Sequence, residues 1–248
     1  MARGSTYKVK FRRRREGRTD YYRRRRLLLS GKPRLVVRKT NTRTIAQFII
    51  AKRSGDRTIA AAVSSELYAY GWDMGMGNMP AAYLTGLLAA KRAKEKGIEE
   101  AVLDIGLNPP VAGSSVFAVL KGALDGGIDV PHNPEVLPDD SRIQGEHIAA
   151  AYEHFNESDE ENHMFDRLER MGVDVSKAPE QFEKAKETII ESSVEELEQM
   201  KEKAKDRRPI QKKHEPKERE EPEEHPPRAK PIKHRRRLVQ SHDKKRKK

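Results

Sequence analysis

Two runs of four arginines, Arg12-Arg13-Arg14-Arg15 and Arg23-Arg24-Arg25-Arg26, are interleaved with the aromatic residues Tyr7, Phe11, Tyr21 and Tyr22. A guanidinium is a planar fork of donors that matches a phosphate. An aromatic ring offers a face on which an unpaired base can stack. With Lys8, Lys10 and Arg18 in the same stretch, the chemistry these residues share is non-covalent capture of RNA. A solvated tail or a localisation signal would use the arginines but has no need of the rings. A second set of cations, Lys32, Arg34, Arg38, Lys39 and Arg43, with Asn41 between them, sits at the ends of two apolar runs. That arrangement presents fixed positive charge from a rigid support, with the Arg38 and Arg43 side chains expected to face outward and to matter little for stability.

Other chemistries find less support. His132, His147, His154 and His163 lack paired i,i+4 ligand geometry apart from acidic neighbours, and there is no Cys, so neither a zinc site nor a thiol nucleophile is expected. Asp104 lies in a short apolar run and resembles a nuclease carboxylate, but two-metal chemistry needs several acids at matching strand positions. A structural Asp bonded to a neighbouring loop is the better reading. Gly75-Met76-Gly77 precedes a helix start at Asn78, where amides and the helix dipole favour an anion. Gly77 and Asn78 are therefore candidate contacts to an RNA backbone, with an ordinary loop as the alternative; the spacing is not that of a dinucleotide site. Trp72 is a candidate for base stacking or, equally, a packed side chain. No catalytic residue, metal, cofactor or small-molecule substrate is expected.

The charge is unevenly spread. The 248 residues carry a net +12, with 36% charged and 35% hydrophobic residues. Residues 1–60 hold 20 Lys/Arg against 3 Asp/Glu, a net of +17; residues 61–138 are at −4, residues 139–202 at −12 and residues 203–248 at +11. An excess of +17 in sixty residues repels itself strongly unless a polyanion is near. The low apolar share fits one core of roughly 150 residues with polar appendages. No run approaches the ~20 apolar residues of a membrane helix. The basic start without an apolar segment behind it argues against a signal peptide, and an intracellular protein away from membranes is expected.

The elements that must position the cations are legible in outline. Thr19 or Asp20 can cap a helix through Tyr21–Leu29 that stops at Gly31. Its four arginines cover every face of a turn, so it should lie between the domain and something anionic. Leu35-Val36-Val37 and Ile45–Ile50, joined by Thr40-Asn41-Thr42, read as a hairpin, and Asp56–Ser64 as a third strand. A helix over Ala81–Lys96, capped by Asn78 and closed by Gly97, carries small residues for close packing on a sheet. Glu100–Ile105 and Ile128–Val130 are expected strands, with a helix Val116–Leu124 between them, capped by Ser114 or Ser115. The result is an α/β fold with a mixed sheet and flanking helices. Residues 1–26 form a basic arm and helix, of which 1–18 should order only on a partner; 27–138 form the core; 139–205 form an acidic helical extension with helices near 146–155, 162–172, 178–190 and 193–205; and 206–248 form a low-complexity basic tail, disordered alone. That tail lacks stacking groups and should hold RNA by phosphate attraction with little sequence preference.

Six stretches carry a family resemblance: Phe11-Arg-Arg-Arg-Arg-Glu-Gly17, Gly31-Lys-Pro-Arg-Leu-Val-Val-Arg-Lys39, Tyr70-Gly-Trp72, Gly77-Asn-Met-Pro-Ala-Ala-Tyr-Leu-Thr-Gly86, Ala101-Val-Leu-Asp-Ile-Gly-Leu107 and Gly145-Glu-His147. Collinear over roughly residues 1–197, they resemble the archaeal type of universal large-subunit ribosomal protein eighteen. The resemblance implies a ribonuclease-H-like core of the kind used by the translation machinery, without catalysis. It implies binding to 5S rRNA, attachment of that RNA to 23S rRNA in the central protuberance of the cytoplasmic ribosome, and contact with neighbouring 5S-binding large-subunit proteins. Ser115 stands where many relatives have a basic residue. Residues 203–248 extend past the family's usual end and are read from composition alone. The rival classes are a duplex-DNA-coating protein, which would accept DNA as readily as RNA, and an RNA-processing enzyme, which would need an acidic metal cluster.

Overall fold

The structure, a computed structural model, describes residues 4, 6–157, 164–193, 196 and 199, all within one compact unit, Met1–Arg208. A single helical turn, α1 (Arg12–Arg15), and a two-turn helix, α2 (Tyr21–Leu28), lead into three antiparallel strands, β1 (Arg34–Lys39), β2 (Thr44–Lys52) and β3 (Gly55–Val63). Helix α3 (Met79–Lys94) follows, then β4 (Val102–Asp104), which pairs in parallel with β1, and helix α4 (Ser115–Asp125). The sheet order is β3-β2-β1-β4. This is the expected α/β architecture with a mixed sheet and flanking helices.

The meander follows from local chemistry. Thr40 closes the first turn: its amide donates to the Arg43 carbonyl at 2.8 Å, and the Arg43 amide donates to the Thr40 hydroxyl at 3.0 Å. A two-residue turn, Arg53-Ser54, joins Lys52 to its partner Gly55. The register shifts between Phe48 and Ile49, leaving Ile59 as the extra residue of a bulge. Alternation then places Leu35, Val37, Ala46, Phe48, Ala60 and Ala62 on one face, all buried beneath α3 and α4.

Asn78 caps α3, its side chain accepting the Ala81 amide at 3.0 Å, and Pro80 occupies the first turn. The small residues of α3 were expected to serve the sheet, but its glycine serves α4. A Cβ on Gly86 would fall 2.2 Å from the Val119 carbonyl oxygen, and one on Gly122 would fall 2.1 Å from that of Tyr83. Two helices meeting backbone to backbone leave no room for a methyl group there.

One expectation is corrected and one element is added. Ile128–Val130 is not a strand: Glu100 and Asp129 form a single parallel bridge, with Ala101 N–H donating to the Asp129 carbonyl at 2.9 Å and Asp129 N–H to that of Glu99 at 2.8 Å. Strand β4 spans only Val102–Asp104, so the segment has one residue's worth of partner. Its apolar character reflects burial of Ile128 and Val130 instead. An unexpected 3-10 helix, Ser64–Tyr70, follows β3 and buries Glu66 against Arg92 at 2.8 Å.

Helices α5 (Asp140–Gln144), α6 (Glu146–Glu157), α7 (Asp166–Arg170) and α8 (Ala178–Glu191) complete the described chain. Helix α8 is acidic on its surface, yet Ala178, Phe182, Ala185 and Ile189 recur at helical spacing and are buried in the same core as α3. The Phe182 ring lies 5.5 Å from that of Tyr83. Lys91 of α3 donates to the carbonyls of Ile189 (2.7 Å), Ile190 (2.8 Å) and Ser192, closing the end of α8 with a cation, as the helix dipole favours. Most of the helix expected over 193–205, residues 162–163 of the one near 162–172, and the basic tail of 206–248 lie outside the described residues. Among the described residues no helix is long and apolar enough to cross a membrane.

Candidate nucleic-acid interface

Helix α2 stands over the sheet face that α3 and α4 leave open. Asp20 caps it, its carboxylate accepting the amides of Tyr22 (2.9 Å) and Arg23 (3.2 Å). Gly31, at φ +68°, turns the chain back into β1. Between α2 and the sheet lies a cleft of about 960 Å³. Its walls include Arg23, Arg24 and Leu27 from the helix, and Arg34, Val36, Arg38 and Ile49 from the strands. Arg34, Val36 and Arg38 share this face because they are two residues apart along β1.

A ladder of alternating charges crosses the floor of the cleft. Arg24 donates to Asp56 at 2.7 Å, Arg34 to Asp56 at 2.8 Å and to Asp104 at 2.7 Å, and Arg38 to Asp104 at 3.1 Å. Asp104 also accepts the Gly106 amide at 2.9 Å, so its role is structural, bonded to the next loop as the sequence suggests. The hydrogen bond from Arg24, together with the charge of Arg34, holds the Asp56 carboxyl below its ordinary value, and the same bond raises Arg24.

This ladder draws Arg34 into the fold and ties Arg38, expected to face outward with little structural part, to Asp104. Arg34 is 2% exposed and enclosed by two carboxylates. It opens β1 on the face where β3 and β4 each supply an acid, and a buried guanidinium is stable only with such partners. Arg38 keeps 45% of its side chain exposed but also donates to the carbonyls of Val37 (2.7 Å) and Asp104 (2.8 Å). Lys32 is exposed and paired with Glu100. Lys39, Asn41 and Arg43 are exposed at the hairpin turn.

The N-terminal arm makes contacts with the helix that follows it. The turn α1 folds back on α2: the Phe11 and Tyr21 rings lie 5.9 Å apart, the Arg14 guanidinium sits 5.1 Å over the Tyr22 ring, and Arg13 donates to Thr19 at 2.9 Å. Aromatic residues expected to await a partner thus give the arm internal contacts. Tyr7, Lys8, Lys10, Phe11, Arg12, Arg13, Arg14, Arg15 and Arg18 are nonetheless exposed, as are Tyr22, Arg23, Arg25 and Arg26, while Tyr21 and Arg24 are half-buried.

Three candidates are engaged by contacts within the protein. Trp72 is fully buried and its indole N–H donates to the Gly75 carbonyl at 3.3 Å, so no face is open to a base. Gly77 is small for a protein contact: a Cβ there would fall 2.4 Å from the Asn41 carbonyl oxygen, where the loop braces the β1–β2 turn. Asn78 spends its side-chain oxygen on capping α3. Two cations that the sequence reading passed over belong to this surface: Lys52 and Arg53, exposed at the β2–β3 turn and lining the cleft. Their signal was a basic pair placed directly before the turn residues Ser54-Gly55. Among the described residues no cluster of three or more His, Asp or Glu side chains could hold a metal ion.

A family model described as ribosomal large subunit proteins 60S L5 and 50S L18 matches residues 5–100 and 93–133. The large ribosomal subunit protein uL18 of Korarchaeum cryptofilum is 56% identical over 189 residues, covering 76% of this chain and 97% of its own length. The uL18 proteins of Haloarcula marismortui and Halobacterium salinarum are 52% and 53% identical, covering 79% and 77% of this chain and all of their own length. The chain therefore belongs to the uL18 family of large ribosomal subunit proteins, in its archaeal form.

Proposed function

We propose that this protein binds 5S rRNA and fastens it to 23S rRNA in the central protuberance of the cytoplasmic ribosome, beside the neighbouring 5S-binding large-subunit proteins. Its role there is architectural, without catalysis. The observation that carries the reading is the grouping of exposed cations on rigid supports: Arg23, Arg25 and Arg26 on a capped helix, Lys39 and Arg43 on one hairpin turn, Lys52 and Arg53 on the next. Phosphates bind such cations without needing a deep pocket, and the exposed rings of Phe11 and Tyr22 suit unpaired bases. The mixed strand order with α3 and α4 packed on one face supports a core of the ribonuclease-H-like kind used in translation.

Competition in a filter-binding assay tests the assignment. Labelled 5S rRNA held by the full chain should resist excess duplex DNA and yield to unlabelled 5S rRNA, and the protein should co-sediment with large subunits. Displacement by duplex DNA at equal concentration would favour a general phosphate-coating protein instead.

A further inference from the structure

We infer that Asp56 is a positioning residue for RNA capture, clamping α2 to the sheet and so setting the direction in which the other arginines of that helix point. The inference rests on the RNA-binding reading above. Helix α2 has no buried residue, so apolar burial alone holds it weakly. The ion pair of Arg24 with Asp56 ties it to β3. Asp56 in turn is held by Arg34, and Arg34 by Asp104, in contacts of 2.7–2.8 Å that run from the buried sheet outward to the helix. A clamp anchored on a buried, doubly paired guanidinium cannot swing with the helix.

The clamp fixes rotation as well as distance. Successive side chains are about 100° apart around a helix, so with Arg24 and Leu27 turned to the cleft, Arg23 and Arg26 reach its walls and Arg25 stays off it. Arg23, Arg25 and Arg26 are the exposed ones. Charge alone would argue against this acid. Asp56 lines the same cleft as Lys52, Arg53 and Arg23, where a carboxylate repels an approaching phosphate. Its presence lowers the attraction of the surface unless it organises the cations around it, and the two roles predict effects of opposite sign.

The test is 5S rRNA affinity of the full chain carrying Asp56→Ala or Asp56→Glu, with amide hydrogen exchange on the same proteins. A positioning role predicts that Asp56→Ala weakens binding roughly tenfold although the protein has become more positive. It also predicts that Asp56→Glu largely restores binding, and that amides of residues 21–28 exchange faster in the Ala variant while those of 79–94 do not change. Equal or tighter binding by Asp56→Ala would overturn the inference. Asp56→Asn, of the same size, serves if the Ala variant does not fold, and equal or tighter binding by it would overturn the inference in the same way. Failure of the unaltered chain to bind 5S rRNA would remove the RNA-binding reading itself, and the inference with it.

Discussion

Arg34 and Asp104 meet across the parallel β1–β4 pair at 2.7 Å, with 2% and 8% of their side chains exposed. Strand β4 has three residues, and this pair, together with the bonds from Arg38 to Asp104, adds to its backbone pairing with β1. Asp104→Ala leaves a buried guanidinium short of one partner and should destabilise the fold by about 3–5 kcal/mol. Urea denaturation measures this, and a loss below about 1 kcal/mol would show that water replaces the carboxylate at little cost.

Gly86→Ala separates two opposed effects. Helix propensity alone favours alanine by about 1 kcal/mol. The contact with Val119 opposes it, since the new Cβ would overlap a backbone oxygen that moves only with α4. A net destabilisation of about 1–3 kcal/mol is expected by thermal unfolding. A stabilised variant would mean that the two helices stand farther apart.

Asp56 gives a signed pH dependence. Its folded pKa is lowered below the ordinary 3.8, first by the hydrogen bond from Arg24. The folded state therefore binds this proton less readily than the unfolded chain. The contribution to stability is complete above the ordinary value and is lost as pH falls through the lowered one. The stability difference between the unaltered chain and Asp56→Asn should shrink as pH is taken from about 6 to about 2. A difference that does not vary with pH would contradict the ionic clamp.

Arg43 and Arg38 should part company. Arg43 is exposed and joins the hairpin turn through its backbone, so Arg43→Ala should cost roughly 1–3 kcal/mol of RNA affinity with an unchanged melting temperature. Arg38→Ala also removes bonds to Asp104 and Val37, so both affinity and stability should fall. Equal melting temperatures for both variants would show that the Arg38 contacts are energetically idle.

What was legible in the sequence was what local chemistry decides. Asp20 and Asn78 cap the helices they precede, and the β-branched runs on either side of Thr40–Arg43 pair as a hairpin. Partners distant in sequence were not legible. Arg34 sits among surface arginines in the sequence, and only the sheet brings Asp104, seventy residues on, to its side. The buried face of α8 is masked by the glutamates around it, although Ala178, Phe182, Ala185 and Ile189 carry helical spacing. Trp72, Gly77 and Asn78 have the right types for RNA contact, but packing, close approach and capping use them first. A residue type states what a side chain can do; burial decides whether it is free to do it.

The central claim is that this surface holds RNA through its phosphates, and the salt dependence of 5S rRNA binding tests it most directly. If about six phosphates are neutralised, the affinity of the full chain should fall on the order of 10³-fold between 50 and 200 mM salt, by analogy with duplex DNA. A logarithmic plot of affinity against salt should then be straight and steep. A flat response over the same range would contradict the account, because no arrangement of these arginines could then be the source of the binding.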